Sequence, residues 1–272
     1  MKSRYNDIQK ITLSAFLLVL ATVATVVVKT PSIPFLPGFC KISFVPAIVM
    51  FASFALGPLY GAIVGGGADL LGVVLHSTGA YNPFYTILAI LWGVLPWLLL
   101  NITSRWRRTF RVPWMIYVVL GATIGLLAYG LFGNETFAGR FESTFGPASL
   151  AMKIVILSII AILDAGLIVG LYFTNRYFQR SILDYPDIPS PNEVSLIVTI
   201  CELLLAVLGT AGALAYYFST PGHTFPYPFH LILLFLLALS PINIIVNSAL
   251  LSWLLIFSRK FGMTSRNNGG KD

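Results

Sequence analysis

Residues 57–93 read GPLYGAIVGGGADLLGVVLHSTGAYNPFYTILAILWG. Gly57, Gly61 and Gly65 stand four apart, and Ala68 and Gly72 continue the row. Residues four apart share one helix face, so this face carries almost no side-chain bulk. In a bilayer, packing rather than water exclusion drives association, and such a face lets a second backbone come close. Asp69 lies inside the same apolar run, followed by His76 and the turn-forming STGAYNP. A carboxylate at membrane depth is costly and is expected to face a cavity or a partner rather than lipid. The stretch predicts a close-packed helix hairpin with Gly57, Gly61, Gly65 and Gly72 as packing positions and a polar pocket near its outer turn.

The rest of the chain fits this setting. Of 272 residues 57% are apolar and only 10% charged, too few charges to coat a soluble domain. Apolar runs near the ~20 residues needed to cross roughly 30 Å of hydrocarbon recur along the chain. They predict spans over 11–28, 42–55, 59–75, 85–100, 114–132, 148–173, 194–218 and 229–257. The expected fold is all-α, a polytopic transmembrane bundle of about eight spans forming one integral membrane domain over 1–272. No small-residue cleavage site follows Val28, so the first run is expected to be retained as a span. Pro46 falls in the first turn of the second span, and Pro241 is expected to interrupt the eighth.

Charge placement sets the orientation. Lys2, Arg4, Lys10, Arg105, Arg107, Arg108, Arg111, Arg176, Arg180, Arg259, Lys260, Arg266 and Lys271 all fall on one side, 13 of the 17 basic residues. Basic loops stay in the cytoplasm, so both termini are expected there, with 174–193 as a cytoplasmic loop and 259–272 as a disordered basic tail. The +7 net charge is thus a topology signal rather than a nucleic-acid footprint. The location expected is the cytoplasmic (inner) membrane of a bacterium.

Enzyme signatures are missing from the sequence. It contains no GxxxxGK[ST], HExxH or GxSxG, so neither catalysis nor ATP hydrolysis by this chain is expected. Cys40 and Cys201 are far apart, and His76, His223 and His230 lie in separate segments, so neither a disulfide framework nor a metal site is expected. The intramembrane carboxylates Asp69, Asp164 and Glu202 could relay a proton or sodium, or bond neighbouring helices. Asn243 and Asn247 share a face of the eighth span. Around the hairpin loop, Lys41, Phe44, Tyr81, Phe84, Tyr85 and Trp92 would suit a flat, partly anionic ligand: aromatic faces for stacking and a cation for a carboxylate. His76 and Asn82 add polar groups to that pocket.

The segment KISFVPAIV and the 57–93 stretch resemble the folate-family substrate-binding (S) components of energy-coupling-factor (ECF) vitamin transporters. Lys41, Ser43 and Phe44 match the family's basic-small-SF element. Gly57, Pro58, Gly61, Val64, Gly65, Asp69, Leu71 and Gly72 match its GPxxGxxVGxxxDxLG helix, and Gly79, Tyr81, Pro83 and Thr86 its GxYxPxFT loop. Tyr85 replaces the usual phenylalanine and Phe84 a usual glycine. The similarity covers residues 41–93, about a fifth of the chain, and the family usually has six spans. It implies a substrate-capture hairpin over 41–93, with Thr86 joining the pocket. It also implies capture of a folate-like vitamin from outside by one subunit of an ABC transporter. A transmembrane coupling subunit and two ATPase subunits would then drive reorientation and release, ATP being used by those partners and no cofactor by this chain. Two other expectations rest on the residues alone: an ion-coupled secondary transporter using the intramembrane carboxylates, and a membrane scaffold without transport.

Overall fold

A short helix, apolar but for one serine, sits at the centre of the bundle. The computed structural model describes residues 6–26, 43–75, 81–106, 189–219 and 229–260, with parts of 118–133 and 150–173. The continuous elements are α1 (Asp7–Val26), α2 (Val45–Leu56), α3 (Pro58–Leu75), α4 (Pro83–Trp106), α5 (Pro191–Ser219) and α6 (Phe229–Lys260). The described positions within 118–133 and 150–173 are helical too, and no strand occurs among the described residues.

At about 1.5 Å per residue, α2 is too short to cross a bilayer alone. Nine of its 12 residues are buried, from Ala47 to Phe54 and Leu56. A helix apolar all round must be surrounded. Helices α1, α3, α4 and α6 all pack on it, while α3 also meets α1 and α4, and α5 bridges α4 and α6. The core follows from this: Val49, Met50, Phe51 and Phe54 of α2 pack with Ala21 of α1, Val64 of α3, Leu100 of α4 and Leu251 of α6.

Helix starts are written in the local sequence. Before α1, Asn6 receives the reciprocal bond of a capping box, its N–H donating to Gln9 Oε1 at 3.2 Å. Before α5, Ser190 Oγ accepts from the Glu193 N–H at 3.2 Å, and the Ser190 N–H donates to Glu193 Oε2 at 2.8 Å. This box, with Pro191 at the first helical position, draws Glu193 into the first turn, so α5 begins inside what the apolar pattern assigned to the loop 174–193. Likewise α4 runs past the apolar limit at Leu100 to Trp106, since no proline or glycine follows to stop it.

Two expectations change. Helix α6 is continuous through Pro241 rather than interrupted, and α4 accommodates Pro96 within its length. Prolines are tolerated in membrane helices where neighbours hold the element straight, and α6 packs on both α2 and α5. Gly57 is not a packing glycine. It lies between α2 and α3 with φ +105°, in the left-handed region that glycine alone adopts easily, and a Cβ there would touch nothing.

The other small positions of α3 lie close against neighbouring helices. A Cβ at Gly61 would collide with the Gly93 carbonyl oxygen of α4 and stand 2.9 Å from Ser53 Cβ of α2. At Gly65 it would strike the Ala89 carbonyl, and at Gly72 it would come 3.2 Å from Thr25 Cγ2 of α1. The face therefore seats three helices on α3.

Asp7–Val26, Pro58–Leu75, Pro83–Thr103 and Asn192–Tyr216 are long and apolar enough to cross a membrane. Their outward faces agree: Ile11, Phe16 and Val19 of α1 and Leu59, Val74 and Leu75 of α3 are each exposed by more than half. Water would not tolerate that much contiguous apolar surface. The protein is an all-helical membrane bundle.

Candidate functional site

All six helices converge on one cavity of about 440 Å³, within the range of roughly 300–1,000 Å³ typical of small-molecule sites. Thr25 of α1, Val49 of α2, Gly65 and Asp69 of α3, and Ala89 of α4 line it. So do Tyr85 and Trp92 of α4, Glu202 of α5, Asn243 of α6 and Ser43 just before α2. Gly65 and Ala89, where the backbones of α3 and α4 come together, are both part of its wall.

Asp69 is held from behind. Thr86 Oγ1 donates to Asp69 Oδ2 at 2.6 Å. A threonine hydroxyl has one proton, so the 2.7 Å contact between Thr86 and the Tyr81 hydroxyl has Tyr81 as donor. The Tyr216 hydroxyl of α5 donates to the Tyr81 carbonyl at 3.1 Å. A chain of hydrogen bonds thus runs from Tyr81, 43% exposed, through buried Thr86 to the carboxylate in the cavity.

A second chain enters from the opposite sequence end. Asn243 Nδ2 donates to Glu202 Oε1 at 3.0 Å, and Asn243 Oδ1 accepts the Ser43 N–H at 3.3 Å. Four residues on, Asn247 Oδ1 accepts the Ala47 N–H at 3.1 Å, and its Nδ2 donates to the Asn243 carbonyl at 2.9 Å. At the start of α2 the Ala47 N–H reaches the Phe44 carbonyl in the tighter i to i−3 arrangement, and Phe44 offers no side-chain cap. The two asparagines of α6 supply acceptors there across 200 positions of sequence.

Of the residues expected in the pocket, Asp69, Tyr85 and Trp92 line the cavity, with Thr86 and Tyr81 one and two bonds behind Asp69. Phe44 does not line it, although its neighbours Ser43 and Val45 do. Asn82 caps a helix instead: its Oδ1 accepts the Phe84 N–H at 3.0 Å, and Pro83 follows as the first residue of α4. Lys41, His76 and Asp164 lie outside the described residues. Glu202 and Asn243 line the cavity although they lie outside the 41–93 hairpin, and Ser43, a motif position within it, lines the cavity beside them. Glu202 and Asn243 are visible in the sequence as polar residues inside apolar runs, but no local pattern names their partners.

The cap role gives an expected result. Asn82→Ala lowers stability by about 1 kcal/mol, and Asn82→Asp, which keeps the acceptor, restores most of it. Thermal unfolding of the purified protein in detergent measures both.

The lining is mixed in a way that suits a small organic molecule: aromatic faces, apolar walls and two carboxylates fixed by neighbouring helices. Among the described residues no three of His, Cys, Asp or Glu come together to hold a metal ion. No family model, curated protein or solved structure matches this chain.

Proposed function

We propose that this protein is the membrane-embedded capture subunit of a vitamin uptake system, an S component of the ECF type, with a folate-like vitamin as its ligand. The observation that carries the proposal is the cavity where Asp69, Tyr85 and Trp92 converge beside the closely packed α3–α4 hairpin. A cavity of that size with aromatic walls and fixed polar groups is what a small-molecule site requires. In this reading eight spans cross a bacterial cytoplasmic membrane with both termini inside, and the hairpin turn faces out. The chain does no chemistry of its own. A transmembrane coupling subunit and two ATPase subunits drive the reorientation that releases the vitamin inside.

The test is a titration of the full chain in detergent with folate and 5-formyltetrahydrofolate, followed by tryptophan fluorescence. Nanomolar binding is expected. Asp69→Asn weakens it more than tenfold, because the acceptor charge is lost; Thr86→Val weakens it less, because the carboxylate remains but is no longer held. Lys41→Ala in the same series examines the cation expected from the sequence. Absence of binding to any folate sinks the substrate. Binding that Asp69→Asn leaves unchanged sinks the location.

One observation favours a second reading. Asp69 and Glu202 line the same cavity, as a cation-coupled secondary transporter would require. That reading expects uptake into proteoliposomes by this chain alone, collapsing when the proton or sodium gradient is dissipated.

A further inference from the structure

Glu202 is a buried-bundle carboxylate that the capture reading above does not use. It belongs to α5, far in sequence from the hairpin, yet it lines the same cavity as Asp69. Among the described residues, each carboxylate is bonded through one oxygen: Asp69 Oδ2 by Thr86, and Glu202 Oε1 by Asn243. Both residues line the cavity, so each presents part of its surface to whatever occupies it. A carboxylate offers about four acceptor sites, and the bonds named occupy one on each group.

Asn243 fixes which way Glu202 is presented. Its amide is pinned at both ends, donating to Glu202 and accepting from the Ser43 N–H, and a flip would lose both bonds. The rings of Tyr85 and Trp92 and the apolar side chains of Val49 and Leu88 line the same cavity. No Lys, Arg or His is found among the described residues lining the cavity. A ligand group that fits must be flat enough to lie against the rings and must offer protons to two acceptors. An anionic group placed there would set its oxygens against two oxygen acceptors, with no cation among the described lining residues to offset them.

We infer that Glu202, positioned by Asn243, is a second ligand-contacting carboxylate and that it and Asp69 select a planar nitrogen heterocycle presenting N–H donors. Any anionic tail of the ligand then points out of the cavity. The inference rests on the ligand-capture reading and adds to it which end of the molecule is held, and by what.

The test uses the full chain in detergent and equilibrium dialysis with folate, 6-hydroxymethylpterin, thiamin, p-aminobenzoylglutamate and pantothenate. The expected result is that a donor-bearing heterocycle, 6-hydroxymethylpterin or thiamin, binds at least tenfold more tightly than the two probes that lack one. Glu202→Gln, checked for monodisperse elution, weakens the bound heterocycle about thirtyfold and so narrows its lead over p-aminobenzoylglutamate at least tenfold. The wild-type ranking tests the inference even if the variant does not fold. A wild-type preference for pantothenate or p-aminobenzoylglutamate overturns the inference, as does unchanged heterocycle affinity in Glu202→Gln; vitamin capture survives both results. Heterocycle binding that needs sodium in the wild type but not in Glu202→Gln overturns it too, in favour of a cation held between the carboxylates. Binding of none of the five probes overturns the capture reading and the inference together.

Discussion

Gly65→Leu is expected to leave little folded protein. A Cβ at Gly65 would collide with the Ala89 carbonyl oxygen and stand 2.9 Å from the Ala89 carbonyl carbon and 3.0 Å from Val49 Cγ1. Backbone cannot rotate away as a side chain can, so α3 and α4 would have to separate along their common face. Overpacking a core with movable neighbours costs about 1–3 kcal/mol. Here the obstacle is a carbonyl and the added group is four carbons, so the cost lies at or above the top of that range. Gly61 and Gly93 define the same seam from both sides: a Cβ on Gly93 would meet the Gly61 carbonyl and stand 2.5 Å from the Ala62 nitrogen. Gly61→Ala and Gly93→Ala should each lower the unfolding temperature, and the double variant should lose less than the sum, because one separation of the helices relieves both clashes. Gly125→Ala is the control, since a Cβ there would meet nothing within 4 Å. Thermal unfolding in detergent and the monodisperse fraction on size exclusion measure the series. A folded Gly65→Leu protein with wild-type stability would contradict the close approach of α3 and α4.

The seam is legible in the sequence because it is written in period. Gly61, Gly65 and Gly72 declare a bare helix face, and Asp69 within that run declares a cavity, without knowledge of any other segment. The same spacing misplaces Gly57. A competing signal decides its role: it precedes Pro58, and a residue before proline is biased away from the helical region. The helix cannot include it, and the chain uses its freedom to turn from α2 into α3 with φ +105°. The other half of the cavity is hidden for a different reason. Asn243 and Asn247 can be seen four apart on one face, but their acceptors serve the N–H groups of Ser43 and Ala47, some 200 residues earlier. Such a pairing is decided by which helices pack, and local propensity carries no record of it. The same limit keeps Glu202 apart from Asp69 in the sequence, although both are recognisable as intramembrane carboxylates.

Asn247→Leu should destabilise the bundle by about 2–4 kcal/mol, from two additive causes. Asn247 is fully buried, with 0% exposure, where α6 meets the start of α2. Leucine removes the side-chain acceptor of the Ala47 N–H and leaves it only the Phe44 carbonyl, at 3.1 Å in the tighter i to i−3 arrangement. Water cannot replace the lost partner there, and the donor points along the positive end of the helix dipole, where an oxygen is favoured. Leucine is also larger than asparagine, and the site is fully buried. Amide hydrogen exchange separates these causes from general loosening: exchange at Ala47 should accelerate more than at Met50 or Phe51 in the same helix. Because Asn243 stands one turn from Asn247 and orients Glu202, a shift in the start of α2 also disturbs the cavity. Ligand affinity in Asn247→Leu should therefore fall, although Asn247 does not line the cavity. Unchanged Ala47 exchange together with wild-type stability would show that α2 does not depend on α6 for its cap, and the cavity would then lose its connection to the centre of the fold.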